Sequence, residues 1–298
     1  MEILQEINAW YPISFDKLEL LRDSGSLAYA AYSEGQKYFL RLIKPSLAEP
    51  AVTGTQVQVF LQKRGFPVPA VYLTKEGAPY APYEGGLLVL YEFLEGEDSQ
   101  PERDIEAIGT LVGRLHREMR EYTGLLPVRD KQFYIGRYVD ILRKKEYPKA
   151  EEYAVYGDAL WEQLKLLPMG YCHGDMYSGN IRRTKEGKLY VHDFDTSCIG
   201  FPMYDAALIC DATEYFLYAE ENLAKSELLL ERFLPKYRLE SHISQEETGA
   251  FHALIAMQHF STQATIVELF GPDCLDDRDI DGQLEWLLRW REQYELSQ

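Results

Sequence analysis

The chain contains few cysteines and few basic residues for its length. Four cysteines occur among 298 residues, none in a Cys-x-x-Cys pair, and 31 Lys and Arg stand against 48 Asp and Glu. Sparse, scattered cysteines argue against a disulfide framework and against a cysteine-rich zinc site. The net charge of -17 argues against a nucleic-acid partner, because phosphate backbones are bound by clustered Lys and Arg.

Long hydrophobic runs are also missing. The longest apolar stretch, Leu87 to Leu94, includes Glu92 and is far shorter than the ~18 to 20 residues of a membrane-spanning helix. The residues at the N-terminus lack the basic start and apolar core of a signal peptide. We therefore expect a cytoplasmic protein with reduced thiols and no membrane span.

The hydrophobic pattern changes near Gly96. Before it, alternation predicts strands at 15–21, 27–32, 37–43, 71–74 and 87–93, a hairpin turn at 33–36 and one helix at 50–64. After it, helical spacing predicts a helix that begins at a Ser99–Glu102 capping box and later helices at 131–145, 151–166, 204–218, 221–233, 246–270 and 278–296, with a second capping box at Ser244–Glu247. This order predicts an α+β fold with a small antiparallel-sheet lobe, residues 1–94, and a mostly helical lobe, residues 95–298.

One segment carries the side chains that phosphoryl transfer requires. His173-Gly174-Asp175 is followed, after four intervening residues, by Asn180, and an apolar strand then ends at Asp193. A kinase needs one carboxylate to receive the proton of the substrate hydroxyl, and a carboxamide and a second carboxylate to hold magnesium. The pattern predicts Asp175 as the catalytic base, with Asn180 and Asp193 as ligands of Mg²⁺.

These motifs resemble the aminoglycoside phosphotransferase and choline kinase superfamily, which includes type II homoserine kinases and has the bilobal protein-kinase-like fold. Its pattern is H-G-D-x-x-x-x-N, then a strand ending D-F-D or D-F-E, then G-x-P-x-x-D, here Gly200 to Asp205. The resemblance implies an ATP- and Mg²⁺-dependent phosphotransferase that acts on a hydroxyl of a small molecule. It also implies that Asp195 is a candidate second metal ligand, and that His173 and Asp205 support the catalytic loop.

The same resemblance suggests the nucleotide-binding positions. Ser24, Gly25 and Ser26 form the candidate phosphate-covering loop, although a turn with one glycine is common outside such sites. Glu92 and Phe93 lie in the segment that matches the hinge, where backbone groups would contact the base. An ordinary edge strand is the alternative there.

Two positions depart from the family pattern. Arg41 stands where the phosphate-binding lysine is expected, and its planar guanidinium is not equivalent to an ammonium. The following helix has no glutamate to pair with it, only Gln56 and Gln58. We therefore expect a hydrogen bond between the charged group and an amide in place of the usual ion pair.

The sequence says less about the acceptor, the molecule whose hydroxyl group would receive the phosphoryl group. The acidic charge suits a cationic acceptor, and two features invite that interpretation: an aspartate cluster between Asp273 and Asp281, and the aromatic series Trp286, Trp290 and Tyr294. Helix capping and core packing explain the same two features. Two other functions stay open: a protein Ser/Thr kinase of the same superfamily, and a nucleotide-binding interaction protein with little turnover, which the departures at and after Arg41 favour.

Overall fold

The computed structural model describes residues 2–24 and 26–296, which divide into two units. The first unit comprises Met1–Ser99, Glu118–Leu126 and Ser178–Ser197, and the second comprises Gln100–Arg117, Pro127–Tyr177 and Cys198–Gln298. Strands predominate in the first unit and helices in the second, so the predicted α+β architecture is confirmed.

An antiparallel sheet forms the body of the first unit. Its five strands follow the order β1-β2-β3-β5-β4, and they are β1 (Lys17–Ser24), β2 (Ser26–Ser33), β3 (Gln36–Ile43), β4 (Ala81–Tyr83) and β5 (Gly86–Glu92). Between β2 and β3, Glu34 and Gly35 have φ angles of 48° and 80°, as a tight hairpin turn requires. The four predicted strands that correspond to β1, β2, β3 and β5 are confirmed to within a few residues.

A short helix, α1 (Glu2–Trp10), covers one face of this sheet. Its Ile7, with Tyr11 just beyond the helix, packs against Leu40 and Leu42 of β3 in a buried cluster. The prediction of one helix before residue 95 was therefore wrong. Nine residues provide few turns of helical spacing to recognise in a sequence.

The opposite face of the sheet is covered by α2 (Ala48–Lys63), which confirms the predicted helix. Ile43 packs there against Ala51 of α2. Because side chains alternate along a strand, Arg41 lies on the same face of β3 as Ile43 and opposite to Leu40. The alternation therefore places Arg41 beside α2.

One predicted strand, at 71–74, was wrong. Val71 makes a single bridge with Tyr91 of β5. The backbone N–H of Thr74 then donates to the carbonyl of Ala78, 2.8 Å away, in a turn that leads the chain off the sheet edge. The edge is completed instead by β4, which lies between the predicted strands at 71–74 and 87–93.

A second sheet brings the Asp193 segment to α2. Its three strands follow the order β6-β8-β9, and they are β6 (Glu97–Asp98), β8 (Ile181–Arg183) and β9 (Leu189–Val191). After β9 the chain turns at Asp193 into the 3-10 helix Phe194–Thr196, which packs against α2. The contact is at Gly54, where an added Cβ atom would lie 2.7 Å from Asp195 Oδ1.

The second unit is built on helices. They are α3 (Pro101–Met119), α4 (Arg137–Lys144) after a π-helical turn (Gln132–Gly136), α5 (Ala150–Leu164), α6 (Pro202–Cys210), α7 (Glu221–Tyr237), α8 (Gln245–Gly249), α9 (Phe251–Phe270) and α10 (Asp277–Leu296). Helices α4, α5 and α6 pack around α9. Two short strands, β7 (Gly170–Cys172) and β10 (Cys198–Gly200), pair antiparallel. No helix within residues 2–24 and 26–296 has the length and apolar character to cross a membrane.

Of the two predicted capping boxes, one is confirmed and one was wrong. The Ser244–Glu247 capping box is confirmed, with both reciprocal hydrogen bonds present. The Ser99–Glu102 capping box was wrong, because the Asp104 carboxylate accepts from Gln100 N at 3.0 Å and the Ser99 hydroxyl donates to the carbonyl of Ser178. The side chain of Asp104, two positions after Glu102, thus stabilises the start of α3.

The predicted helix at 204–218 was too long. Helix α6 ends at Cys210, and Asp211 adopts an extended backbone with ψ 113°. The Asp211 carboxylate accepts a hydrogen bond of 2.8 Å from Thr213 N. This local Asx turn competes with helix continuation, as short polar side chains often do.

We predict that Gly54→Ala destabilises the protein by about 1 to 3 kcal/mol, the usual cost of overpacking. The new methyl group would collide with backbone atoms of Phe194 and Asp195 and with the carboxylate of Asp195. These atoms have little freedom to move. Free energies of unfolding from urea denaturation measure the effect.

Gly282→Ala in α10 is the matched control, since no atom lies within 4 Å of an added Cβ there. That change should stabilise by about 0.5 to 1 kcal/mol, because Ala loses less backbone entropy than Gly in a helix. Equal stability of Gly54→Ala and wild type would contradict the close packing of α2 on residues 194–196.

Candidate active site

In the first unit, one guanidinium engages two predicted metal-site carboxylates. Arg41 Nη2 lies 2.8 Å from Asp195 Oδ2, and Arg41 Nη1 lies 3.4 Å from Asp195 Oδ1 and 3.5 Å from Asp193 Oδ1. Burial acts to lower the pKa of Arg41, but the charges of Asp195 and Asp193 outweigh it and raise that pKa. Arg41 is therefore a fixed positive charge beside both carboxylates.

The expected bond between Arg41 and a glutamine of α2 was wrong. Gln58 Nε2 donates to the carbonyl of Pro69 at 2.7 Å, and Gln56 is exposed. The partner is the carboxylate of Asp195, which reaches Arg41 because Gly54 leaves room for the 194–196 turn against α2. The ion pair is thus retained, with its acid supplied by a different element.

Asp193 has a strained backbone. Its φ and ψ are 61° and 66°, in the left-handed region, which costs about 1 to 3 kcal/mol for a non-glycine residue. Its side chain is 36% exposed, against 12% for Arg41. Strain of this kind concentrates at functional sites, and here it occurs at a partly exposed carboxylate that lies 3.5 Å from Arg41.

Asn180 belongs to the same unit as Asp193. It is 4% exposed and ends the short turn Ser178–Asn180. Its backbone carbonyl accepts from the N–H of His192 at 3.1 Å. The residue before Asp193 is therefore tied directly to the predicted carboxamide ligand.

The predicted nucleotide-binding positions are only partly described. Ser24 and Ser26 are paired across the β1–β2 hairpin, and Gly25 lies outside the described residues. At the predicted hinge, Glu92 binds Ala70 twice: its N–H donates to the Ala70 carbonyl at 2.8 Å, and its carboxylate accepts from Ala70 N at 3.1 Å. The ammonium of Lys37 lies 3.8 Å from the ring centre of Phe93.

In the second unit, a buried carboxylate holds the backbone before Asp175. Asp205 Oδ2 accepts from His173 N at 2.7 Å, and Oδ1 accepts from Gly174 N at 2.9 Å. Gly174 has a φ of 81°, which a residue with a side chain rarely adopts. Asp175, half-buried, follows this constrained pair.

A further pair of residues, missed in the sequence analysis, completes this network. His116 Nε2 of α3 donates to Asp205 Oδ2 at 3.0 Å, and His116 Nδ1 shares a hydrogen bond of 2.8 Å with the Tyr237 hydroxyl. His116 is 5% exposed. The signal in the sequence was a histidine on the apolar face of α3, where a polar residue needs a partner.

The electrostatics of Asp205 follow from these contacts. Burial alone would raise its pKa, but the hydrogen bond and charge of His116, the charge of His173 and the Gly174 N–H lower it. The carboxylate is therefore ionised in the core of the second unit.

The two features that suggested a cation-binding site have structural roles. Trp286, Trp290 and Tyr294 are 2%, 1% and 6% exposed, so the aromatic series is core. Asp276 and Asp279 each accept a hydrogen bond from the backbone N–H of the other, at the start of α10. The capping and core interpretations are confirmed.

The structure thus gathers the predicted residues into two groups, one per unit. Arg41, Asp193 and Asp195 are in contact in the first unit, and the second unit holds the loop anchored by Asp205. Across residues 2–24 and 26–296, no three His, Cys, Asp or Glu side chains form a metal-binding cluster. A divalent cation would therefore need ligands in addition to His, Cys, Asp and Glu side chains.

We predict that Asp205→Asn destabilises the protein by about 3 kcal/mol at pH 7, since an amide group would face backbone donors without charge to satisfy them. The folded-state pKa of Asp205 is lowered, so its stabilisation is present above the unfolded value of about 4 and is lost as pH falls through the folded value. The difference from wild type should shrink below about pH 4, as measured by urea unfolding across pH.

Asp211→Asn is the control, in the residue after the same helix. Burial raises the pKa of Asp211 to about 6, so its ionised form disfavours folding above that pH and the variant should be no less stable than wild type at pH 7. An Asp205→Asn protein as stable as wild type at pH 7 would contradict the anchoring role.

Comparison with known proteins agrees with this geometry. Residues 19–233 match the phosphotransferase enzyme family. The homoserine kinase of Bartonella tribocorum is 28% identical over 182 residues, which are 58% of this chain and 56% of that protein. An uncharacterized protein of Deinococcus radiodurans is 27% identical over 133 residues, 43% of this chain and 37% of that one. The chain therefore spans about half or less of these two relatives.

Solved structures share the fold over nearly the whole chain. Amicoumacin kinase hAmiN, in complex with AMP-PNP, Ca²⁺ and Ami, has a TM-score of 0.76 at 17% identity, over 98% of this chain and 93% of that one. A microcompartment-associated aminopropanol kinase has a TM-score of 0.69 at 16% identity, over 99% and 98%. Choline kinase LicA from Streptococcus pneumoniae has a TM-score of 0.67 at 16% identity, over 98% of both chains.

The resemblance inferred from the three motifs and the protein-kinase-like fold are thereby confirmed. The chain belongs to the phosphotransferase enzyme family.

Proposed function

We propose that this phosphotransferase uses ATP and Mg²⁺ to phosphorylate a hydroxyl group of a small molecule, with Asp175 as the catalytic base. The observation that carries the proposal is the loop His173-Gly174-Asp175, whose backbone is held by the buried, ionised Asp205. A rigidly placed carboxylate suits a group that must align a nucleophile and accept its proton.

The role of Asp175 follows from ordinary acid-base chemistry. Its carboxylate would accept the proton of the acceptor hydroxyl and orient the oxygen toward the phosphorus atom. Two backbone hydrogen bonds to Asp205, made by the residues just before it, limit the movement of Asp175. Little reorganisation is then needed when the acceptor binds.

Asn180 and Asp193 fit a magnesium site. Mg²⁺ is usually bound through one or two carboxylates together with nucleotide phosphates and waters, so a cluster of three acidic or imidazole side chains is not required. When bound, the ion would neutralise charge on the phosphates. Asp193 is the more exposed of the two Arg41 partners, 36% against 20% for Asp195, which favours Asp193 as the ligand.

Arg41 and Asp195 have a complementary role. The bidentate pair holds the guanidinium in place on β3, where it would present positive charge to the nucleotide phosphates. The absent helix glutamate favoured an interaction protein with little turnover. Because Asp195 supplies the missing acid, that argument for a degenerate site no longer holds.

The similar proteins support a small hydroxylated acceptor. Homoserine kinase, choline kinase and aminopropanol kinase are named for such compounds, and the AMP-PNP and Ca²⁺ in the amicoumacin kinase complex support nucleotide and divalent metal use.

We predict that Asp175→Asn lowers turnover by a factor of at least about 100, because general-base catalysis contributes about 10² to 10⁴. The assay is transfer of label from γ-labelled ATP to compounds of a metabolite extract supplemented with aminoglycosides. Asp158→Asn, an aspartate with a 65% exposed side chain, is the control and should retain full transfer. Undiminished transfer by Asp175→Asn would refute the base assignment, and label in protein would favour a protein kinase.

We predict that Asp193→Asn weakens binding of ATP in the presence of Mg²⁺ by about tenfold or more, the usual effect of disturbing a metal site. Binding of ATP without Mg²⁺ should stay close to that of wild type. Calorimetric titration in the two buffers measures both. Equal loss in both buffers, or no loss, would argue against Asp193 as a metal ligand.

A further inference from the structure

We propose that Arg129 binds a carboxylate group of the acceptor, so that the substrate is a hydroxy acid. This inference rests on the proposed function and deepens it by naming the chemical class of the acceptor. No motif of the sequence includes Arg129, and the net charge of -17 favoured a cationic acceptor instead.

The backbone places Arg129 beside the catalytic loop. Val128 bridges Ile199 of β10, and Arg129 N donates to the carbonyl of Ile199 at 2.9 Å. Strand β10 pairs with β7, and β7 leads directly into His173. The residues around Arg129 therefore extend the same small sheet that supports the loop.

The side chain is held toward the loop from two sides. Arg129 Nη1 donates to the carbonyl of Gly174 at 3.2 Å. The guanidinium carbon lies 4.2 Å from the ring centre of Phe133, a stacking contact that arginine makes well. One bond to a neutral carbonyl leaves most of the five guanidinium donors for other groups.

Arg129 forms no ion pair with a side chain of the described part of the chain. No Asp or Glu of residues 2–24 and 26–296 lies within 4.0 Å of its guanidinium, although the chain carries 48 acidic residues. The residue is half-buried. A partly desolvated guanidinium without an acid, next to a predicted catalytic carboxylate, is suited to a ligand anion.

The neighbouring arginine differs in this respect. Arg137 also packs on Phe133, with its guanidinium carbon 4.1 Å from the ring centre, but its Nη1 lies 2.6 Å from Glu268 Oε2. Arg137 is thus neutralised, and one positive charge, that of Arg129, is left over. One charge balances a carboxylate, whereas a phosphate dianion would leave an excess negative charge facing Asp175.

The charges of Arg129 and Asp175 both act on a buried tyrosine of α6. The Tyr204 hydroxyl donates to Gln258 Oε1, and Gln258 Nε2 donates to Thr262 at 2.9 Å. Burial raises the pKa of Tyr204, while the charge of Arg129 lowers it and that of Asp175 raises it.

Two pairs of acceptors test the proposal, because the members of each pair differ only in a carboxylate: serine and ethanolamine, and homoserine and 3-aminopropan-1-ol. We expect kcat/KM for the hydroxy acids to exceed that for the amino alcohols by about tenfold or more. Arg129→Gln should lower kcat/KM for the hydroxy acids about 10- to 100-fold, chiefly through KM, and lower kcat/KM for the amino alcohols much less.

Two further variants serve as controls. Arg129→Lys keeps the charge but loses the planar fork, so its effect should be intermediate. Arg278→Gln, at an exposed arginine of α10, should match wild type. A preference for the amino alcohols would overturn the proposal. So would an equal loss of kcat for both members of each pair, which would assign Arg129 to the transferred phosphoryl group.

Calorimetry with the same four compounds separates this inference from the proposed function. If no compound is phosphorylated, the proposed function fails for these acceptors while binding is still measured. Tighter binding of the hydroxy acids that is lost in Arg129→Gln would support the carboxylate site. Equal binding of the members of each pair, or binding unaffected by Arg129→Gln, would overturn it.

Discussion

The hydrogen bonds accepted by Asp205 are the interaction on which the helical unit depends. The carboxylate is fully buried, yet it takes two backbone N–H groups from the segment before Asp175 and the N–H of a histidine from α3. A buried charge is costly unless its lone pairs are satisfied, and here His116 of α3 and the two residues that follow β7 satisfy the carboxylate of α6. The hydrogen bonds that satisfy the buried charge of Asp205 thus also fix the backbone that precedes Asp175.

In the first unit, a buried positive charge is likewise stabilised by groups of opposite charge. Arg41 is 12% exposed, and its cost of burial is offset by two carboxylates that come from a single tripeptide. Gly54 is the residue that allows this, since any side chain there would push Asp195 away from β3. The acid that pairs with Arg41 therefore comes from the 194–196 turn and not from α2.

Local chemistry in the sequence predicted much of this arrangement. Spacing within residues 172–205 pointed to the family and to Asp175, Asn180 and Asp193 as candidate site residues, because those positions are close in the chain and their separations are set by short turns. The alternation likewise predicted β1, β2, β3 and β5 as strands, although Leu20 and Leu21 of β1 are exposed. Contacts between distant segments were not predictable in this way. His116 and Tyr237 are 121 residues apart, and the sequence around each of them does not indicate the other.

The case of Arg129 shows why net charge is a weak guide to the charge of a substrate. The excess of 17 negative charges is spread over an exposed surface where water and salt screen it within about 10 Å. A half-buried guanidinium is screened far less, and its local potential is set by the few groups within hydrogen-bond distance. Beside Gly174 those groups are a neutral carbonyl and an aromatic ring. The overall field can therefore be acidic while the position next to the predicted base attracts an anion.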